Sequence, residues 1–295
     1  MYETILVPLD GSKTAEIVLP YAVEIAAKLG SEITLVRVSE SKSSNIADAY
    51  HLYLERVKEQ VQNQLEDYEA KKEAKVFGKI LLGKPATEIL RYADETGADL
   101  IIMASRGSSG EGPWLLGNVA AKVIRATRRP LLLIRAPASN AALRQKRLVK
   151  RILVPLDGSK TGEAAIPRTE VLSRALGAEI VLFQVVGLVT VWGAYEGYVS
   201  YPEPPDPESR KASAVTYLDG VGKPLKEKGL SISSVVVLGS AAEKIIDYAK
   251  ANDIDLIAMS THGRSGIGRW VFGSVTDKTL HAGDTAVLVV RPPKA

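Results

Sequence analysis

Asp10 and Asp157 occupy the same place in two copies of one run, ILVPLDGSKT, at 5–14 and again at 152–161. Each aspartate ends a short β-branched apolar stretch and opens an Asp-Gly-Ser turn, which delivers a carboxylate to the end of a strand. Farther along, Gly107 and Gly117 are separated by nine residues, as are Gly263 and Gly273. The first glycine of each pair lets the backbone turn its N–H groups towards an anion. The second opens a helix whose free N–H groups and dipole favour phosphate. Asn118 and Ser274 add a polar side chain where those helices start. Taken singly, an Asp-Gly-Ser is also a plain tight turn, and a glycine pair is also a flexible surface loop. Identity over ten residues in two otherwise diverged halves favours a ligand.

His262 stands beside the second glycine segment, but Arg106 takes its place in the first. A charge or hydrogen-bond role therefore fits that position better than general-base catalysis. Trp114 and Trp270 read as hydrophobic anchors, and His51 and His281 as ordinary surface or helix residues. The chain has no glycine loop ending in Lys and Ser or Thr, and no histidine or carboxylate cluster with metal-ligand spacing. Metal-driven phosphoryl transfer is not supported.

These residues need strands to carry them. The chain is a duplication: Asp10 and Asp157 are 147 residues apart, whereas Gly107 and Gly263, like Gly117 and Gly273, are 156 apart. The extra residues fall in the second half, in the Pro- and Tyr-rich stretch Val191 to Pro207, which is expected to cover the mouth of the second crevice or the surface joining the halves. Apolar runs predict strands at 5–9, 33–38, 75–82, 100–104 and 131–135, then at 152–156, 179–186, 234–238, 256–259 and 286–291. Between them, helical spacing predicts helices capped by the turn serine and closed by Gly30, then over 47–72, 86–96 and 116–127. Alternating strands and helices imply an α/β fold, with open parallel sheets covered on both faces. Ligands of such sheets bind beyond the carboxyl ends of the strands, where the first-strand aspartate and the glycine segment meet. The domains read as 1–137 and 150–295, joined by a basic linker at 138–149 that is best taken as solvated.

With 46% hydrophobic and 24% charged residues, the 295-residue chain fits two globular domains and excludes disorder. No run approaches the ~20 apolar residues that span a bilayer. The absence of cysteine excludes disulfides and thiolate chemistry. Cytoplasmic residence is expected. A net charge of +4 with interspersed signs gives no case for nucleic acid.

The spacing Gly, two residues, Gly, nine residues, Gly, then Ser or Thr, together with an aspartate after the first strand, resembles the ATP-binding members of the universal stress protein family. Here it reads Ala104, two residues, Gly107, nine residues, Gly117, Asn118, and then Ser260, two residues, Gly263, nine residues, Gly273, Ser274. The resemblance implies two doubly wound five-stranded sheets of the adenine nucleotide alpha hydrolase type, each with strand order 3-2-1-4-5. It also implies that the last strands of the halves pack against each other about a pseudo-two-fold axis, and that chains associate as dimers.

Carried onto this sequence, the resemblance places Asp10 and Asp157 against ribose and adenine, next to Pro8, Leu9, Pro155 and Leu156. Val38 and Val185 offer backbone groups to the adenine edge. Gly107, Gly117, Asn118 and Val119 wrap the phosphates of the first site, and Gly263, Gly273, Ser274 and Val275 those of the second. Met103, Ala104 and Arg106 in the first, and Met259, Ser260 and His262 in the second, are further nucleotide-binding positions. Ala104 and Ser260 replace a glycine and tolerate positive φ poorly, and Asn118 replaces a hydroxyl, so the second site is expected to be the better one. The implied cofactor is ATP, with Mg²⁺ as its companion ion, in a stress-response regulator with little or no turnover. A nucleotide-free interaction module and a slow ATP hydrolase remain as alternatives.

Overall fold

A computed structural model describes residues 1–41, 43–68, 74–107, 116–135, 148–187, 206–263 and 272–292. Residues 138–147 of the linker expected at 138–149, most of the insertion (191–205), Trp114 and Trp270 lie outside the described residues.

The first half runs β1 (Thr4–Pro8), α1 (Lys13–Glu16), α2 (Leu19–Leu29), β2 (Glu32–Ser39), α3 (Ser44–Glu66), β3 (Val76–Leu82), α4 (Pro85–Glu95), β4 (Leu100–Ala104), α5 (Asn118–Ala126) and β5 (Leu131–Ile134). The second runs β6 (Arg151–Pro155), a 3-10 turn (Gly162–Ala165), α6 (Ile166–Leu176), β7 (Glu179–Val186), α7 (Pro207–Glu227), β8 (Ile232–Leu238), α8 (Ala241–Ala251), β9 (Leu256–Ser260), α9 (Ser274–Ala282) and β10 (Ala286–Val290).

The expected helix after the first strand is two helices. Ser12 caps α1, accepting from the Ala15 N–H at 3.1 Å, but the chain restarts at Leu19. Pro20 is the cause: it has no N–H to continue the ladder and its ring suits only a first helical turn. Pro167 does the same for α6, after the short 3-10 turn. Gly30 and Gly177 close α2 and α6 in the left-handed conformation, at φ 68° and 63°.

The ten strands form one sheet, ordered β3-β2-β1-β4-β5-β10-β9-β6-β7-β8. Each half contributes five parallel strands in the order third, second, first, fourth, fifth. The two sets join where β5 and β10 run antiparallel, with Leu131, Leu132 and Leu133 opposite Val289, Leu288 and Val287. Neighbouring residues on a strand serve opposite faces: Ile5 and Val7 enter the core beneath α2, α3 and α6, while Leu6 enters the core beneath α4, α5, α8 and α9. Both cores continue from one half into the other. Every side chain of β5 is fully buried, each contributing roughly 1.5–3 kcal/mol of apolar transfer energy.

Polar contacts fasten the junction symmetrically. Arg135, just past β5, donates to the carbonyls of Thr279, at 3.2 Å, and Leu280 at the end of α9. Arg291, just past β10, donates to the Arg125 carbonyl at the end of α5. A cation at a helix C-terminus meets both unpaired carbonyls and the negative pole of the dipole. Burial pushes the Arg135 pKa down to about 10, with Asp284 opposing and Arg106 adding to the fall; the group stays charged at neutral pH. On the other face, the buried Glu24 of α2 accepts the Leu148 N–H at 3.1 Å with each carboxylate oxygen, and the Tyr2 hydroxyl donates to the Arg168 carbonyl at 3.4 Å.

Candidate functional site

The sheet order reverses between β1 and β4, and again between β6 and β9, so a crevice opens at the carboxyl ends of each pair. The Asp-Gly-Ser turn builds one wall. Gly11 and Gly158 take φ of 84° and 85°, a conformation that favours glycine, and this returns each serine to its aspartate. Asp10 Oδ1 accepts from the Ser12 N–H at 3.0 Å and the Ser12 hydroxyl at 2.5 Å. Asp157 Oδ1 accepts from Ser159 at 3.0 and 2.6 Å, and Ser159 Oγ accepts the Gly162 N–H at 3.0 Å. The serine thus aims the carboxylate and starts the following turn at once.

The opposite wall is the glycine segment. A Cβ on Gly107 would overlap Asp10 Oδ2, and one on Gly263 would overlap Asp157 Oδ2. These glycines are needed for close approach to the carboxylate, a different reason from the backbone turning expected from sequence. Beyond them, the Gly117 N–H donates to the Ser105 carbonyl at 2.8 Å and the Gly273 N–H to the Thr261 carbonyl at 2.9 Å, seating α5 and α9 at the crevice. Neither helix has a side-chain N-cap, so the first-turn N–H groups and the positive dipole pole are left to the crevice.

Ala104 and Ser260 end their strands as ordinary buried strand residues, and neither has positive φ. The departure from glycine therefore costs nothing in backbone strain. The Ser260 hydroxyl adds a contact a glycine lacks, accepting the His262 N–H at 3.4 Å, while its backbone carbonyl accepts from Thr276 Oγ1 at 2.9 Å. His262 Nδ1 lies 2.9 Å from Thr261 Oγ1, while its Nε2 is buried without a hydrogen-bond partner among the described residues.

The first crevice encloses about 450 Å³ and the second about 240 Å³. Pro8 at the end of β1 with Leu9 and Asp10 just beyond it, Val38 from β2, and Met103, Ala104, Arg106 and Gly107 from β4 and its turn all line the first. Gly117, Asn118 and Val119 complete it from α5. Pro155, Leu156, Asp157, Val185, Met259, Ser260, His262 and Gly263 line the second, with Gly273, Ser274 and Val275 from α9. Each site is also walled by residues the sequence did not single out: Pro85 and Ile89 of α4 in the first, and their counterparts Ala241 and Ile245 of α8 in the second. Arg37 and Tyr50 line only the first. The available signal for Arg37 was a charged residue inside the otherwise apolar run of β2.

Comparisons with known proteins agree with this architecture. A chain of matching length, the universal stress protein Slr1230 of Synechocystis, is 25% identical over 314 residues, covering 98% of this chain and 100% of the relative. A universal stress protein of Methanocaldococcus jannaschii is 32% identical over 143 residues, 46% of this chain and 84% of the relative. The crystal structure of a universal stress protein from Archaeoglobus fulgidus superposes with a TM-score of 0.71 at 20% identity, covering 99% of both chains, and shows the same fold. The profile of the universal stress protein family matches residues 1–135 and again 149–291. The chain belongs to the universal stress protein family, with two copies of its domain in tandem.

Proposed function

We propose that the protein is an adenine-nucleotide-binding regulator of a stress response, with ATP as its ligand and little or no turnover. The observation that carries this reading is a repeated juxtaposition. In both halves a serine-pinned carboxylate stands across a crevice from a helix N-terminus without a side-chain cap. The carboxylate suits the hydroxyls of a ribose or the edge of a base, and the N–H groups suit phosphate oxygens. Apolar walls from Val38, Met103 and Ile89, and from Val185, Met259 and Ile245, suit the flat faces of a purine.

Neither crevice carries, among the described residues, the machinery of rapid phosphoryl transfer. Among the described residues, no group of three or more His, Cys, Asp or Glu side chains is placed to hold a metal ion. A Mg²⁺ arriving with ATP would rely mainly on phosphate oxygens, with Asp10 and Glu40 the carboxylates lining the first crevice and Asp157 the one lining the second among the described residues. The histidine near the second crevice has Arg106 as its counterpart in the first, so no histidine base is common to both. Among the described residues no helix is long and apolar enough to cross a membrane. A cytoplasmic protein, free of cysteine, is part of the same proposal. Any association of two chains would use surfaces other than β5 and β10, which are consumed within the chain.

Mass spectrometry of small molecules released on denaturing the purified protein tests the reading. An adenine nucleotide at substantial occupancy is the expected result. Nucleotide-free protein that also binds none when titrated would leave an interaction module as the function.

A further inference from the structure

The two crevices share a plan but differ in charge. The described residues lining the first include Arg37 and Arg106 together with Asp10 and Glu40. Among the described residues, the second is lined by Asp157 without a Lys or Arg, and His262 is the other titratable side chain there. One strand position accounts for much of the contrast. Arg37 lies opposite Ile80 in the pairing of β2 with β3, and its counterpart opposite Val236 in the pairing of β7 with β8 is the neutral Gln184.

Arg37 is held in place by its surroundings. Its guanidinium carbon lies 4.1 Å from the centre of the Tyr50 ring. A Cβ on Gly11 would stand 3.3 Å from Nη1, so the guanidinium rests against the turn that carries Asp10. Its Nε is buried and has no hydrogen-bond partner among the described residues. Asp10 in turn packs on Gly107, which places this cation one turn residue from the carboxylate that borders the anion cradle. A stacked guanidinium with an unpaired buried N–H is stabilised by an anion that reaches it, and a flat fork of donors suits phosphate better than a point charge does.

Resting on the nucleotide reading above, we propose that Arg37 makes the first crevice selective for phosphate charge. That crevice prefers ATP over AMP and adenosine, and the second crevice, with Gln184 in that position, discriminates far less. The volume of about 450 Å³ in the first crevice, walled in part by Tyr50, accommodates the more highly phosphorylated ligand. The ranking expected from Asn118 and Ser274 is thereby reversed for ligands of high charge.

The test uses the full chain with one crevice closed. In a Gly263→Val background, ATP, AMP and adenosine are titrated calorimetrically against Arg37 and against Arg37→Gln and Arg37→Lys variants, with circular dichroism confirming the fold. Arg37→Gln should weaken ATP about 10- to 100-fold, the loss of charge-assisted hydrogen bonds, while adenosine changes less than about twofold. Arg37→Lys should keep part of the ATP affinity. With Gly107→Val closing the first crevice instead, Gln184→Arg should strengthen ATP at the second. Should Arg37→Gln fail to fold, the salt dependence of ATP binding decides: it should be steeper for the first crevice than for the second. Equal loss of ATP and adenosine, unchanged ATP affinity, or equal salt dependence would overturn the assignment while leaving nucleotide binding intact. No binding of ATP by the unmodified protein would overturn both.

Discussion

Gly263 rests directly on the carboxylate of Asp157: a Cβ on the glycine would overlap Oδ2, and a Cβ on Gly162 would stand 2.5 Å from Oδ1. The carboxylate is therefore enclosed from two sides and pinned by Ser159 from a third. Gly107 repeats the contact with Asp10 in the other half. The position of the acid is fixed by packing and hydrogen bonding together, before any ligand contributes.

Gly263→Ala should therefore destabilise the fold by about 1–3 kcal/mol, the ordinary cost of overpacking, and weaken nucleotide binding at the second crevice as Asp157 is displaced. Gly273→Ala is a contrasting case. Its Cβ would meet its nearest neighbour, the Thr261 carbonyl, at 3.6 Å, an ordinary contact. Its stability cost should stay within about 1 kcal/mol, as for a changed N-cap. Thermal unfolding of the two variants checks this, and equal melting temperatures would contradict it.

Ser159 positions the acid without lining the crevice. Ser159→Ala removes the hydroxyl that donates to Asp157 and accepts the Gly162 N–H. Two hydrogen bonds near 1 kcal/mol each predict roughly a 5- to 30-fold weaker affinity at the second crevice. Calorimetric titration with ATP is the measurement, and wild-type affinity in the variant would show that the carboxylate needs no such support.

The arginines at the junction should make the halves unfold together. Arg135→Met leaves the Thr279 and Leu280 carbonyls without their donor, at a cost of about 1–3 kcal/mol. Arg291→Met does the same to Arg125. Chemical denaturation followed by two probes, one in each half, should give coincident transitions in the wild type. Both single variants should have lower midpoints. Independent transitions in the wild type would mean that the shared sheet does not couple the halves.

Glu24 should be a structural acid. Glu24→Ala leaves the buried Leu148 N–H without its acceptor and should cost about 1–3 kcal/mol, whereas Glu24→Gln retains one acceptor oxygen and should cost less. Urea midpoints compare them. Equal stability of Glu24→Ala and wild type would remove this contact from the account.

Much of the fold was readable because local pattern and tertiary role agree. The strand Glu179–Val186 has the bounds its apolar run predicts, and Gly30 closes α2 as a helix-ending glycine should. The first helix was misread where two local signals compete, since helical spacing runs on through Leu19 while Pro20 forces a restart. The long helix predicted over 47–72 spans Ser44–Glu66. Both aspartates and both glycine segments were found from repetition, but the reason for Gly107 was not. A clash with Asp10, about a hundred positions away, has no signature in local sequence. Arg37 escaped for a related reason: its meaning depends on Tyr50 and Gly11, which only the folded chain brings to it. The joining of the sheets through β5 and β10 was expected from their apolar character and from the family, and the antiparallel register is what the coordinates add.

The central claim is that both crevices bind ATP through the carboxylate that faces an uncapped helix. Calorimetric titration of ATP into the wild type, Asp10→Ala, Asp157→Ala and the double variant tests it most directly. The account predicts two ATP per wild-type chain. Each single variant should weaken one of those two sites by about 5- to 150-fold, as loss of a good polar contact does, and the double variant should weaken both. Absence of binding by the wild type, or four indistinguishable isotherms, would contradict it.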